Sequence, residues 1–514
     1  MTSEARARLF KWLIATGVLL LLIVVSGFIW ASVRLKPKIR ERVVTALKEH
    51  YNRDVELKGL SISLTPRFSA VGEGLIIHQK DRPGLPPMII VDRMSIDATW
   101  RGMFSQPLQV DRLTLNGLQI NVPPKIDDPN KTKEPRQKPP QFLINEVIAD
   151  GTTLNILPKK EGKEPLVFDI SKLKLHSAGT TAPMKFDAIL SNPKPPGDIQ
   201  SAGEFGPWQS EDPSLTPVSG SYTFNNADLS IFKGIGGKLS SEGTYQGLLE
   251  RIVVDGWTDT PDFSLKVSGH EVHLKTQFHA IVDGTDGDTY LEPVNAQFGQ
   301  SSVVASGGVY GKPGMKGKTI ALDITVSNSR VEDMLRLAVK GSEPLMTGAI
   351  AFRAKFELPP GDQDILEKLS LDGNFGVDAA RFTSLSLQEK INELSQRARG
   401  KVGEETVDER VVSDMRGRFA LGNGRIRFSN LTFMVPGALV ELEGTYALQS
   451  ETLDFTGTLR TDAKISQMTT GIKSIFLKLI DPIFKKQGAG AVIPIKITGT
   501  REQPKYSLDF GRVF

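Results

Sequence analysis

At 514 residues the chain has room for about three domains of ~150 residues, and 39% hydrophobic residues with a mean hydropathy of −0.17 exclude both intrinsic disorder and a polytopic membrane protein. Zero cysteines remove disulfides, thiolate metal sites and cysteine nucleophiles, and six histidines leave little for imidazole chemistry. The net charge of +4 is an N-terminal property: residues 1–50 carry nine Lys/Arg against three Glu (+6), leaving 54 basic against 56 acidic residues (−2) in the other 464, which points to a membrane and not to nucleic acid.

Residues 1–11 read as a cytoplasmic tail, followed by Trp12–Val33, 22 residues without a charge. As a helix this run is roughly 33 Å long, enough to cross a ~30 Å hydrocarbon core. Trp12 and Trp30 mark its interfaces, with Leu20 and Val25 in the apolar stretch between them and Val33 at its end. A cleavable signal would have a shorter apolar region and a small-residue cleavage site, so a retained single-pass anchor is expected. The lysines and arginines on its two sides leave the orientation open by charge. A long exported body with a short inner tail is the natural arrangement. From Lys36 to His50, Ile39, Val43 and Leu47 make a helical stripe, which reads as a basic helix capping the first strands near the bilayer.

From Val55 the apolar period is two. Ile320, Leu322, Ile324 and Val326 alternate with polar residues, as do Ile350, Phe352, Phe356 and Leu358 against Arg353, Lys355 and Glu357. Each set predicts a strand with one apolar and one wet face. Asn116-Gly117, Asp255-Gly256 and Gly422-Asn423-Gly424 read as turns. The body is therefore mainly β, with too many strands for one sandwich and too little helix to cover them. Several successive sandwiches, or one long sheet curled around a channel, both satisfy the pattern.

Pro123–Pro140 holds six prolines and eight charges and reads as an extended loop. Asn192–Pro217 reads as a second long loop. A helix with the stripe Leu387, Ile391, Leu394 and Ala398 is predicted between a Ser386/Glu389 capping box and Gly400. Near the end, Ile472, Phe476, Leu479 and Ile480 form a broad apolar face flanked by Lys473 and Lys478. That face can plug the end of a sheet, or it can meet a membrane or a partner. The segmentation that follows is a module over 34–122, the loop 123–140, a central β region over 141–327 and a C-terminal region over 328–514.

Catalytic chemistry is sparse. His270, His273 and His279 lie in strand alternation without zincin spacing, and Asp283, Asp286 and Asp288 lack an EF-hand's spacing and distal Glu. Neither a phosphate loop nor a nucleophile elbow is present. No catalytic residue, metal or cofactor is expected, and the chain does not read as an enzyme.

The anchor, the basic helix and DVELKGLSISLTPRFSAVGEGLIIHQKD together resemble the start of the AsmA-like proteins of diderm bacteria. FGVDAARFTSLSLQEKINELSQRARGK, LTFMVPGALVELEGTYAL and AVIPIKITGTREQPKYSLDF resemble the AsmA C-terminal region. The resemblance implies an inner-membrane anchor, a chorein-like N-terminus and an elongated, taco-shaped antiparallel β-groove in the periplasm with a few amphipathic helices. It also implies transfer of phospholipid toward the outer membrane, with acyl chains along the apolar interior. The eight apolar positions of the two strands above are then the lipid-facing candidates. The rival expectation is a scaffold for outer-membrane protein assembly that pairs with other envelope proteins through its strand edges.

Overall fold

In a computed structural model, residues 54–464 and 490–508 are described apart from 64–66, 80–83, 104, 124–141, 158–164, 179–182, 208, 210–211, 313–314, 316, 342 and 402–410, together with Glu41, Val44, Thr45 and Lys48. The predicted anchor Trp12–Val33 and the late segment holding Ile472, Lys473, Phe476, Lys478, Leu479 and Ile480 lie outside the described residues. Among the described residues no helix is long and apolar enough to cross a membrane.

Among the described residues, twenty-six strands join in one sheet. It opens with β1 (Val55–Ser63), β2 (Phe68–Ile77) and β3 (Ile89–Ala98) as an antiparallel meander. β4 (Leu108–Asn116) and β5 (Gln119–Val122) both pair with β3 in one register, so they are one strand interrupted at Gly117. β6 (Phe142–Ile148) and β7 (Thr152–Ile156) repeat this arrangement and run parallel to β4 and β5, the sole parallel pairings among the described strands. Asn116-Gly117 is therefore no hairpin turn, contrary to its dipeptide signal. The arms of a hairpin pair with each other, whereas these arms share β3. Gly117 sits at φ 64° with Asp92 Oδ2 2.2 Å from where a Cβ would be, so glycine is required there.

A long antiparallel meander follows. It consists of β8 (Leu166–Ala178), β9 (Met184–Pro193), β10 (Pro196–Phe205), β11 (Pro217–Asp228), the short β12 (Ile235–Gly236), β13 (Lys238–Leu248), β14 (Arg251–Leu265), β15 (Glu271–Val282), β16 (Thr289–Phe298), β17 (Ser301–Gly311), β18 (Lys318–Arg330), β19 (Met346–Leu358), β20 (Ser370–Phe382), β21 (Ser413–Gly422), β22 (Arg425–Val435), β23 (Ala438–Ala447), β24 (Thr452–Thr461), β25 (Ala491–Thr500) and β26 (Pro504–Leu508). Two expectations change here. The stretch 192–217 divides: 196–205 is strand, in which Ile199, Ser201, Gly203 and Phe205 keep the alternation, while the described residues of 206–216, with Pro207 and Pro213, form the expected loop. Asp255-Gly256 lies inside β14, where Phe278 Cζ comes within 2.9 Å of the position a Gly256 Cβ would take. Gly422-Asn423-Gly424 does turn β21 into β22.

Helices sit at strand ends. Leu385–Ala398 starts at Ser384, which accepts a bond from Leu387 N, two residues before the expected cap, and stops at Gly400 with φ 74°. Its Ile391, Leu394 and Ala398 pack on Val411, Val435 and Ala438. Val331–Ala338 was not anticipated; its signal is the Val331/Met334/Leu335 spacing after a strand, with Glu332 and Asp333 in the first turn. At the other end of the chain, Glu41, Val44, Thr45 and Lys48 are helical, and Val44 packs on the first core cluster, around Leu57, Leu75 and Val91.

The sheet curls back on itself. Ile365 N, in the β19–β20 connection, donates to Lys233 O in the β11–β12 connection at 2.9 Å. Lys368, in the same β19–β20 connection, is held below its ordinary range by burial and by the nearby Lys194 of the β9–β10 turn. Arg501 Nη1, in the β25–β26 turn, donates to Lys340 O in the β18–β19 connection at 3.0 Å. Each of the two hydrogen bonds joins opposite strand ends seven strand spacings apart. Seven spacings of ~4.8 Å and a twelve-residue strand at ~3.3 Å per residue give a diagonal of about 52 Å, which closes into a ring about 17 Å across. The sheet is thus wound at an even pitch, like a ribbon around a rod.

Candidate functional site

The apolar faces of the strands share the interior side of this coil. The register places Ile320, Leu322, Ile324 and Val326 on one face with Leu358, Phe356, Ala354 and Phe352 directly opposite, and Ile350 follows beyond the bulge on the same face of β19. The rows continue across neighbouring strands. Leu322 leads to Phe356, Leu371, Leu421, Ile426, Tyr446 and Leu453; Val326 leads to Phe352, Phe375, Gly417, Leu431 and Leu442. Along β19 the even positions are buried or half-buried while Arg353, Lys355 and Glu357 are exposed. Of the eight lipid-facing candidates, Val326 and Ile350 are buried, and Ile350 is packed under the helix Val331–Ala338. The other six are half-buried.

The half-burial has a geometric cause. Interdigitating side chains fill a gap of ~10 Å between facing sheets, and a ring about 17 Å across leaves roughly 7 Å that they do not reach. Aromatic side chains reach over glycines of the next strand. Phe375 Cε1 is 2.7 Å from the position of a Gly417 Cβ, and Phe455 Cδ1 is 2.7 Å from that of Gly444. Phe375, Phe419, Phe428 and Phe455 form a chain of ring contacts at 5.8–6.2 Å along this floor, edge-on from Phe375 to Phe419 and Phe428 and tilted from Phe428 to Phe455. The glycine–aromatic pairing was not foreseen, although glycine recurs at apolar-face positions of the alternating strands.

In the centre the floor changes character. Ser201, Tyr222, Ser241, Tyr245, Thr258 and Thr276 occupy interior positions of β10 to β15. Tyr245 meets Ser201 at 2.7 Å, Tyr222 meets Ser241 at 3.1 Å, and Thr258 meets Thr276 at 2.7 Å. Burial pushes the Tyr222 and Tyr245 phenols above the ordinary tyrosine value, and the serine hydrogen bonds oppose it. A raised folded value means that the unfolded chain ionises first. The stability these phenols contribute is therefore complete below pH ~10 and is lost as pH rises through their folded values. An alkaline spectrophotometric titration should show a late-ionising class that loses two phenols in Tyr222→Phe/Tyr245→Phe. An unchanged late class would refute their burial.

The outer face is wet and laced with exposed pairs such as Arg112–Glu146 at 2.7 Å and Arg460–Glu441 at 3.0 Å. The Arg112 hydrogen bond lowers the Glu146 carboxyl. His279 pairs with Asp255 at 2.7 Å and His273 with Asp259, across β14 and β15 on this face. Asp283–Asp288 forms the β15–β16 turn, in which Thr285 N bonds to Asp283 and Lys318 reaches Asp288 at 2.8 Å. Among the described residues no group of His, Asp or Glu is arranged to hold a metal ion. The class this defines is a mainly β protein built on one long, curled sheet with a mainly apolar inner face. No protein-family model, curated protein or solved structure matches the chain.

Proposed function

We propose that the chain is a non-enzymatic phospholipid-transfer conduit between the inner and outer membranes, supporting outer-membrane lipid homeostasis. The observation that carries this reading is the apolar face of the curled sheet, on which six of the eight candidate side chains stay half-buried. Acyl chains supply the missing contacts, at ~0.8 kcal/mol for each CH₂ removed from water. In this reading Trp12–Val33 anchors the chain in the inner membrane and the body lies in the periplasm. The face of Ile472, Phe476, Leu479 and Ile480, with Lys473 and Lys478, meets a membrane or partner protein.

The scaffold alternative requires an inviting sheet edge. The C-terminal edge strand β26 is five residues long and opens on Pro504 and Lys505, features that discourage pairing with another chain. At that edge the conduit is favoured; the other edge, β1, runs nine residues and pairs only with β2 among the described strands. Full-length protein purified in mild detergent should co-isolate several phospholipid molecules per chain after solvent extraction. Recovery of none, from protein shown to be folded, would overturn the reading.

A further inference from the structure

The hydroxyl collar in the middle of the interior has a direction. Ser201 Oγ donates its one hydrogen to Ser221 O at 3.0 Å, and Ser241 Oγ donates to Trp257 O at 2.9 Å. Each serine can therefore only accept from its tyrosine, so Tyr245 and Tyr222 spend their hydrogens on Ser201 and Ser241. The two phenol oxygens are left with lone pairs alone. Tyr245 Oη lies 2.7 Å from where a Gly220 Cβ would be, and Tyr222 Oη lies 3.0 Å from that of Gly256, so each phenol oxygen sits close over a glycine. Two half-buried phenol oxygens that only accept hydrogen bonds suit a ligand that donates them.

The collar also lies where the conduit is bridged. β11, β13, β14 and β15 belong to the turn of the coil closed by the Ile365–Lys233 hydrogen bond. A phospholipid passing through that turn has its headgroup inside, beside the collar. Resting on the conduit reading, we propose that the collar of Tyr222 and Tyr245 binds hydrogen-bond-donating lipid headgroups, the primary ammonium or the glycerol hydroxyl. It thereby favours these lipids over those whose headgroup has no N–H or O–H.

The test is competitive loading of the full chain from vesicles of equal parts dioleoyl phosphatidylethanolamine, phosphatidylglycerol and phosphatidylcholine, with bound lipid counted by mass spectrometry. The three share acyl chains, and the ethanolamine and choline lipids share net charge. The first two should exceed phosphatidylcholine by about 2- to 12-fold, the range one net hydrogen bond supplies. In Tyr222→Phe/Tyr245→Phe the three should load equally; the serines keep their backbone bonds and the rings keep their shape, so the sheet stays built. Equal loading by the unaltered chain, a preference for phosphatidylglycerol alone, or a preference that survives the double substitution each overturns the collar and leaves the conduit standing. Loading of no lipid at all overturns the conduit and the collar with it.

Discussion

Phe356→Asp should leave the chain folded and empty it of phospholipid. Phe356 is half-buried on the interior face, directly between Leu322 of β18 and Leu371 of β20. Its ring borders the unfilled part of the coil, so water can reach a carboxylate there while the interior is empty. An acyl chain laid across the same spot has to strip that water away. Desolvating the charge costs at least about 3 kcal/mol, or roughly a hundredfold in occupancy. Phe352 is the less clean probe, because it packs against the cluster of Val331, Ile350, Val377 and Ala380, where a charge would also attack the fold. The matched control is Arg353→Asp on the wet face, which should keep both fold and lipid. Circular dichroism and lipid extraction measure the two effects separately. A folded Phe356→Asp protein with a full lipid complement would count against the conduit, and an unfolded one would show that the interior is packed as a closed core.

Period-two alternation carried the face assignment well, because a strand's side chains have no third direction in which to point. That is why Ile320, Leu322, Ile324 and Val326 fall opposite Leu358, Phe356, Ala354 and Phe352 with no exception before the bulge at Val326/Ser329. The helix Leu385–Ala398 was legible for the same reason, through its own period of apolar residues. Turn dipeptides were less dependable. Asn-Gly and Asp-Gly permit a turn but do not compel one, and at residues 116–117 and 255–256 the partner strand decided otherwise.

The winding of the sheet left no local trace. It is set by contacts such as Arg501 to Lys340, 161 residues apart, which no window of sequence contains. The polar collar was hidden differently. Tyr222 and Tyr245 sit at interior parity, but with Gly220, Gly243 and Gly247 between and beside them their strands lose the apolar rhythm that marked β18 and β19. Read alone, such strands show only weak amphipathicity. Their meaning emerges when ring and glycine are seen on adjacent strands.

Gly457→Val should destabilise the C-terminal turn of the coil far more than Gly422→Val. Gly457 lies on the interior face between Leu442 of β23 and Ile495 of β25. A Cβ there would stand 1.9 Å from Glu441 O and 2.9 Å from Leu442 Cα, both backbone atoms that cannot step aside without moving the strand. The close approach is how β23 and β24 bend around the interior, so a side chain at this point forces them apart and flattens the curl. Overpacking of this kind costs about 3 kcal/mol. The damage should travel to the Arg501–Lys340 bridge, because Arg501 follows directly on β25, whose register with β24 passes through Gly457. Gly422 has nothing within 4 Å of its would-be Cβ and no left-handed backbone, so valine there meets open space. Thermal unfolding should separate the two variants clearly. Trypsin should also cut after Lys340 faster in Gly457→Val than in the unaltered chain, because the bridge over that peptide has loosened. Equal melting and equal cleavage in the two variants would mean that the strands do not need this close contact to wind.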